Sequence, residues 1–417
     1  MSWESKTLRG VAEVVIGRQR TPQHADGPYM VPYLRAANVR DGQLDLTDVM
    51  SMNFSPSEQQ IFPLRPGDVL VTEGSGSLST VGASAAWSGE LLGTVCFQNT
   101  LLRMRPKQNA LNGRFLQWWA RAAFASGLFA SVATGANIYH LSAERVRALP
   151  LRVPSLDEQR RIADFLDAET ARLDRMAALQ QAVASKLTER EVALLDWEID
   201  RLADAYGFMP FRRFIQRVEQ GTSPQCDNVE AADDEWGVLK VSAVKDGTFQ
   251  PTENKLLPPD VPPARQYEVK DGDLLVTRAN TPVLVGAATV VRQSRRRLLI
   301  CDKIFRIDVS SDLNKEFLVH VARGTRIRVL CAAASHGTSQ SMANLKVDEI
   351  KRWPIPAVPL LEQRRLADLI DERRAQVSEL RTAIDTQLAL LAERRQALIT
   401  AAVTGQMDVT TARRVTA

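Results

Sequence analysis

Four cysteines, Cys96, Cys226, Cys301 and Cys331, and four histidines, His24, His140, His320 and His336, are the groups of this chain that could bind a metal or act as nucleophile and base. The cysteines form no CxxC pair and the histidines are equally scattered, so neither set has the spacing of a zinc site. Buried, reduced cysteine is the simpler expectation. Gly74-Ser-Gly76 with Gly82 resembles a glycine-rich phosphate loop only superficially: GxxxxGK[ST] is absent, and the glycine spacing does not fit a dinucleotide fingerprint. The Asn/Asp-Pro-Pro-Tyr/Phe tetrapeptide that holds an exocyclic amine in amino-methyltransferases is missing too, since Pro258-Pro259 and Pro262-Pro263 have the wrong flanks. Neither a GxSxG elbow nor an HExxH helix occurs. These residues predict a binder and organiser rather than a catalyst.

The elements that would position binding groups must come from an ordinary globular composition. Of 417 residues, 45% are apolar and 24% charged, enough for two to four domains with their own cores. Without an apolar run of spanning length or an apolar N-terminal core, no membrane insertion or secretion is expected, which predicts a cytoplasmic protein. The net charge of +4 is unevenly spread. Residues 1–154 hold 15 basic and 11 acidic side chains, 155–206 hold 7 and 12, 207–358 hold 22 and 18, and 359–417 hold 9 and 8. The first and third segments therefore carry a mild basic excess compatible with nucleic acid phosphates.

The halves of the chain repeat each other. Tyr33-Leu-Arg-Ala-Ala-Asn-Val-Arg-Asp-Gly42 aligns with Val238-Leu-Lys-Val-Ser-Ala-Val-Lys-Asp-Gly247, and Gly67-Asp-Val-Leu-Val-Thr72 with Gly272-Asp-Leu-Leu-Val-Thr277, both 205 positions apart. Glu158-Gln-Arg-Arg-Ile-Ala-Asp-Phe-Leu-Asp167 aligns with Glu362-Gln-Arg-Arg-Leu-Ala-Asp-Leu-Ile-Asp371 at 204. A tandem duplication follows. Each copy begins with short aliphatic runs punctuated by Gly, Pro, Asn and Asp, which predicts a mainly β domain with a few helices, Phe115 to Phe124 among them.

A long Ala, Leu, Glu and Arg stretch ends each copy. Ser155-Leu-Asp-Glu158 has the capping-box arrangement, Gly207 and Gly405 are suited to left-handed caps, and Pro359 fits a first helical turn. Two helices of roughly 75 and 70 Å are expected. Leu166, Leu173, Met176, Val183, Leu187 and Leu194 in the first, and Leu366, Ile370, Val377, Leu380, Ile384, Leu391 and Leu398 in the second, recur at three, four or seven. The expected fold is α+β: a duplicated, mainly β domain followed by a long helix, the two helices pairing as an antiparallel coiled coil. The other arrangement has each stripe docked on its own domain. The segments are 1–154 and 207–358 for the domains, 155–206 and 359–405 for the helical spacers, and 406–417 for a tail.

The Pro154-to-Ala163 helix opening, its copy at Pro359 to Ala367, and the ending Glu393-Arg-Arg-Gln-Ala-Leu-Ile-Thr-Ala-Ala-Val-Thr-Gly-Gln406 resemble the DNA-specificity subunit of Type I restriction-modification systems over almost the whole chain. The resemblance implies two target recognition domains, each reading one half of an asymmetric bipartite double-stranded DNA site. Helical spacers set the gap and dock two modification subunits. It also implies no catalytic site and no cofactor on this chain; S-adenosylmethionine, ATP and Mg belong to the modification and restriction subunits.

Direct readout favours Arg, Lys, Asn, Gln, Ser and Thr on loops. In the first domain this selects Arg35, Asn38 and Arg40 in the repeated block, Thr72, Glu73 and Ser75 after the repeated strand, and Asn137, Tyr139 and His140. In the second it selects Lys240, Ser242 and Lys245, then Arg278 and Asn280, then Thr338, Ser339 and Gln340. Glu73 facing Arg278 at equivalent positions is where readout is expected to diverge. Two other readings compete: a single-chain enzyme acting on DNA, weakened by the absent motifs, and a non-DNA coiled-coil scaffold displaying two β domains.

Overall fold

The computed structural model describes residues 3–334 and 343–409. The chain divides into two units, Met1–Gln180 with Asp385–Ala417, and the contiguous Gln181–Ile384.

In the first unit, β1 (Ala12–Ile16), β2 (Val69–Thr72), β3 (Ser84–Ala86) and β4 (Leu101–Pro106) form an antiparallel sheet in the order β1-β4-β2-β3. Strand alternation sends Val69 and Val71 into one core and Leu70 into another, so the continuous aliphatic run marks a strand covered on both faces. Helix α1 (Gly113–Ala125) joins the first core through Phe115, Leu116, Trp118 and Trp119. Asn112 caps it, its side-chain oxygen accepting from the amides of Arg114 and Phe115 at 3.0 and 3.1 Å. A smaller sheet places Met30–Leu34 between Cys96–Phe97, parallel, and Met50–Asn53, antiparallel. Glu4–Thr7 pairs antiparallel with Pro150–Val153, directly before α2 (Leu156–Tyr206).

The second unit repeats this plan. Strands β5 (Ile215–Gln220), β6 (Leu274–Thr277), β7 (Ala288–Val290) and β8 (Ile304–Val309) take the order β5-β8-β6-β7. Gly237–Leu239 lies between Leu298–Leu299, parallel, and Asn254–Leu256, antiparallel. Helix α3 (Lys315–Arg323) is capped by Asn314, and Phe208–Pro210 pairs with Pro354–Pro356 before α4 (Leu360–Thr404). The same topology in both copies is what the sequence repeat predicts. Cys96 and Cys301 are buried at equivalent positions, and burial pushes their thiols up to about 12 and about 11.

The long helices run antiparallel. In the first unit Arg395 of α4 reaches Asp174 of α2 at 3.0 Å, and Arg152 donates to the carbonyl of Thr404 near the end of α4. In the second, Arg374 of α4 lies 3.4 Å from Glu191 of α2. Helix pairing and docking on the domains coexist: Ile162, Ala163, Leu166, Ile399, Ala402 and Val403 share one core with Phe115, and Leu195, Ile199, Leu202, Leu366, Ala367 and Ile370 share another with Phe317. The predicted stripe is thus covered at the helix ends. Of its mid-helix members, Ile384 is buried at 7%, whereas Met176, Val183 and Leu380 stay 44%, 50% and 52% exposed. Gly207 and Gly405 stop the helices with φ of +76° and +74°. Gln406 N–H returns to the carbonyl of Ala401, as a left-handed cap requires.

Two buried glutamines fasten the helices to the domains. Gln159 accepts from Asn112 N–H at 2.7 Å and donates to the carbonyls of Pro154 and Ala110. Gln363 accepts from Asn314 N–H at 2.8 Å and donates to those of Val358 and Asp312. A second fastening differs between copies. The Trp118 indole donates to Asp167 at 2.8 Å, whereas His320, equally buried, lies 3.0 Å from Asp371. His320 holds the Asp371 carboxyl below the usual carboxylate range, with Arg374 and Arg292 adding to the effect. A depressed carboxyl pKa contributes stability that is present above the unfolded value, about 4, and is lost as pH falls through the folded value. Urea denaturation of Asp371→Asn against the parent chain is therefore expected to show a stability gap at pH 6 that narrows by pH 3.

Candidate nucleic-acid interface

In each unit, the end of a buried strand delivers one loop beside another. Strand β2 ends at Thr72, whose hydroxyl donates to the carbonyl of Thr80 at 3.2 Å and accepts from Gly82 N–H at 2.9 Å. This fixes the base of a serine-rich loop whose Ser75 and Thr80 hydroxyls meet at 2.5 Å. Glu73 donates its amide to Thr100 and accepts at its carbonyl from Leu141. Gly74–Ser75 then pairs antiparallel with Tyr139–His140, Tyr139 opposite Ser75 and His140 opposite Gly74. Both Glu73 carboxylate oxygens lie 3.2 Å from His140 Nδ1, on an imidazole that is half exposed.

The second unit reproduces these bonds with other side chains. The Thr277 hydroxyl donates to the carbonyl of Leu284 and accepts from Ala287 N–H. Arg278 donates its amide to Lys303 and accepts from Leu345. Ala279–Asn280 pairs antiparallel with Ala343–Asn344, placing Asn344 opposite Ala279 as His140 stands opposite Gly74. Arg278 and Asn344 are partly exposed, and among the described residues neither side chain makes a hydrogen bond or ion pair.

The structure thus brings Glu73, Ser75, Tyr139 and His140 together, with exposed Asn137 on the same loop. It brings Arg278 and Asn280 together with a residue that the sequence reading did not select, Asn344. The signal was there: His140-Leu-Ser-Ala-Glu-Arg-Val-Arg-Ala-Leu-Pro150 aligns with Asn344-Leu-Lys-Val-Asp-Glu-Ile-Lys-Arg-Trp-Pro354 at an offset of 204. Thr338, Ser339 and Gln340 lie outside the described residues.

Several selected residues have other work. Asn38 is 2% exposed, accepting from Arg35 N–H and donating to the carbonyls of Asp45 and Asp48, so its amide braces a loop and has no edge left for a base. Thr72 is buried with its hydroxyl spent as described. Tyr139 packs against the first core. Arg35 pairs with Asp48, Arg40 with Asp45 at 3.1 Å, and Ser242 donates to Glu253, which also faces Lys240. The carboxylates neutralise this block in both copies and leave exposed Lys245 without an ion-pair partner among the described residues. Asn280 accepts from the amide of Thr281. Among the described residues no cluster of His, Cys, Asp and Glu could hold a metal ion.

Such a fold defines a class: a duplicated protein presenting two loop pairs of the same geometry and different chemistry. Residues 1–184 match the family model described as Type I restriction modification DNA specificity domain. The chain is 34% identical over 161 residues to the Type I restriction enzyme EcoEI specificity subunit of Escherichia coli, a match covering 38% of this chain and only 27% of that protein. Against the EcoKI specificity subunit of Escherichia coli strain K12 it is 23% identical over 398 residues, covering 90% of this chain and 82% of that one. A solved chain from a study of complex assembly and conformational transition in the type I R-M system has the same fold, with a TM-score of 0.71 at 18% identity, covering 97% of this chain and 98% of that one. Its first 184 residues thus match the Type I specificity domain directly, and over 90% of its length the chain is similar to a Type I specificity subunit.

Proposed function

We propose that this chain recognises an asymmetric, bipartite double-stranded DNA site and directs Type I methylation and restriction to it. The observation that carries the proposal is the pair of equivalent loop clusters, one per unit, holding Glu73 with His140 in one and Arg278 with Asn344 in the other. Equal backbone settings with different hydrogen-bonding groups suit two readers that address different bases. Each domain reads one half-site, and the paired long helices set the number of unread base pairs between them.

Met176, Leu179 and Leu390 in the first unit, and Val183 and Leu380 in the second, are exposed apolar side chains on the long helices. They supply a surface on which two modification subunits dock, restriction subunits joining the assembly. In this reading the chain itself is non-catalytic and cytoplasmic. S-adenosylmethionine, ATP and Mg act on the partner subunits, where the target adenine is flipped for methylation. No helix among the described residues is long and apolar enough to cross a membrane.

The test is co-expression with the cognate modification subunit in a host lacking adenine methylation, followed by mapping of N6-methyladenine. The expected result is one bipartite, asymmetric motif that vanishes when this chain is omitted. A complex that forms and binds S-adenosylmethionine yet leaves no methylated motif would reject the proposal and favour a scaffold that does not read DNA.

A further inference from the structure

Arg278 and Asn344 stand out from the polar side chains around them. Each is partly exposed: Asn344 stands opposite Ala279 on one short antiparallel ladder, and Arg278 directly precedes that ladder, its carbonyl accepting from Leu345 N–H. Neighbouring candidates are engaged: Asn280 with the amide of Thr281, and Lys240 and Ser242 with Glu253. The Arg278 guanidinium and the Asn344 amide make no side-chain hydrogen bond or ion pair among the described residues. Five guanidinium donors and a carboxamide with both a donor and an acceptor are left for something outside the chain. The backbone beside them is fixed at both ends of the ladder, Arg278 by its bonds to Lys303 and Leu345, so the two groups are presented from a rigid platform.

The first unit has the same platform and opposite chemistry. Glu73 occupies the position of Arg278, and His140 that of Asn344. The carboxylate holds the imidazole through Nδ1 at 3.2 Å. An acceptor thus stands in the first unit where donors stand in the second.

We infer that Arg278 and Asn344 are the specificity-determining pair of the second unit, reading a guanine and an adenine of its half-site, and that Glu73 with His140 is the corresponding pair of the first. The inference rests on the DNA-recognition reading above. Arginine matches guanine O6 and N7, asparagine matches adenine N6 and N7, and a carboxylate accepts from cytosine N4. The half-site of the first unit therefore prefers cytosine where that of the second prefers guanine.

The experiment uses the full chain with its modification subunit and maps methylated motifs for the parent chain, Arg278→Ala, Asn344→Ala, and the exchange R278E with N344H. Each alanine variant is expected to relax one base pair of one half-site, lowering discrimination there roughly 5- to 150-fold, with the other half-site and the gap unchanged. The exchange is expected to move the letter read at position 278 toward that read by the first unit. An unchanged motif in both alanine variants overturns the inference, as does equal weakening across all sequences, the mark of phosphate contact alone. Should the alanine variants methylate nothing, Arg278→Lys and Asn344→Gln are expected to restore methylation with weakened discrimination. If these also methylate nothing, the pair is structural and the inference fails. Failure of the underlying reading looks different, because then the parent chain itself specifies no motif.

Discussion

Replacing Gln363 with leucine is expected to cost about 3 to 5 kcal/mol, because the side chain is 1% exposed and its loss strands three backbone groups, one buried and two part-buried, at about 1 kcal/mol or somewhat more each. Leucine keeps most of the volume, so the loss would be one of hydrogen bonding rather than of packing. The amide of Asn314 opens α3, and the carbonyl of Val358 lies just before α4, so the glutamine joins the two helix starts. Gln159→Leu is expected to act alike on the first unit through Asn112, Pro154 and Ala110. Calorimetry should show a fall in Tm on the order of 10 °C for the affected unit. A loss under about 1 kcal/mol in urea would mean that water replaces the glutamine at no great cost.

Arg306→Met should be comparably severe. Arg306, 8% exposed on β8, donates to Glu219 on the neighbouring β5, to Asp273 at the start of β6, and to the carbonyls of Glu268 and Gln266. Removing one partner of a largely buried ion pair typically costs about 3–5 kcal/mol; here Asp273 loses its counter-charge, while Glu219 keeps Arg217. Adding Asp273→Asn to Arg306→Met is expected to recover part of that loss in urea denaturation. Additive losses would show that the backbone carbonyls, not the carboxylates, are what the guanidinium serves. Arg103 on β4 fills the corresponding place in the first unit, with Glu13 and the carbonyls of Ile61 and Pro63.

What was legible in the sequence was local or repeated. The caps at Ser155, Gly207 and Gly405 and the aliphatic strand runs are short-range signals, and two aligned copies double the information in each. What escaped depended on partners distant along the chain. Gln159 and Gln363 sit in Glu-Gln-Arg-Arg runs that look like a solvated helix face, and only loops some 50 residues away reveal them as buried. Asn38 looks like a base reader until its loop folds around it. Asn344 lies beyond the polar run Thr338, Ser339 and Gln340 that loop composition selects, and only strand register makes it the counterpart of His140. Helical spacing predicted the stripes but not which mid-helix members stay exposed, since Ile384 is buried while Met176, Val183 and Leu380 are not.

The first unit is assembled from both ends of the chain, while the second is contiguous. Ile399, Ala402 and Val403 complete the core around Phe115, and the Trp3 ring lies against Gly405. On the ribosome, the part made first therefore lacks a wall of its interior until the last helix emerges. At about 5–20 residues per second, the roughly 200 intervening residues take on the order of ten to forty seconds. The later-made unit thus has all of its residues first, and for that interval the nascent first half keeps an uncovered apolar face within reach of chaperones.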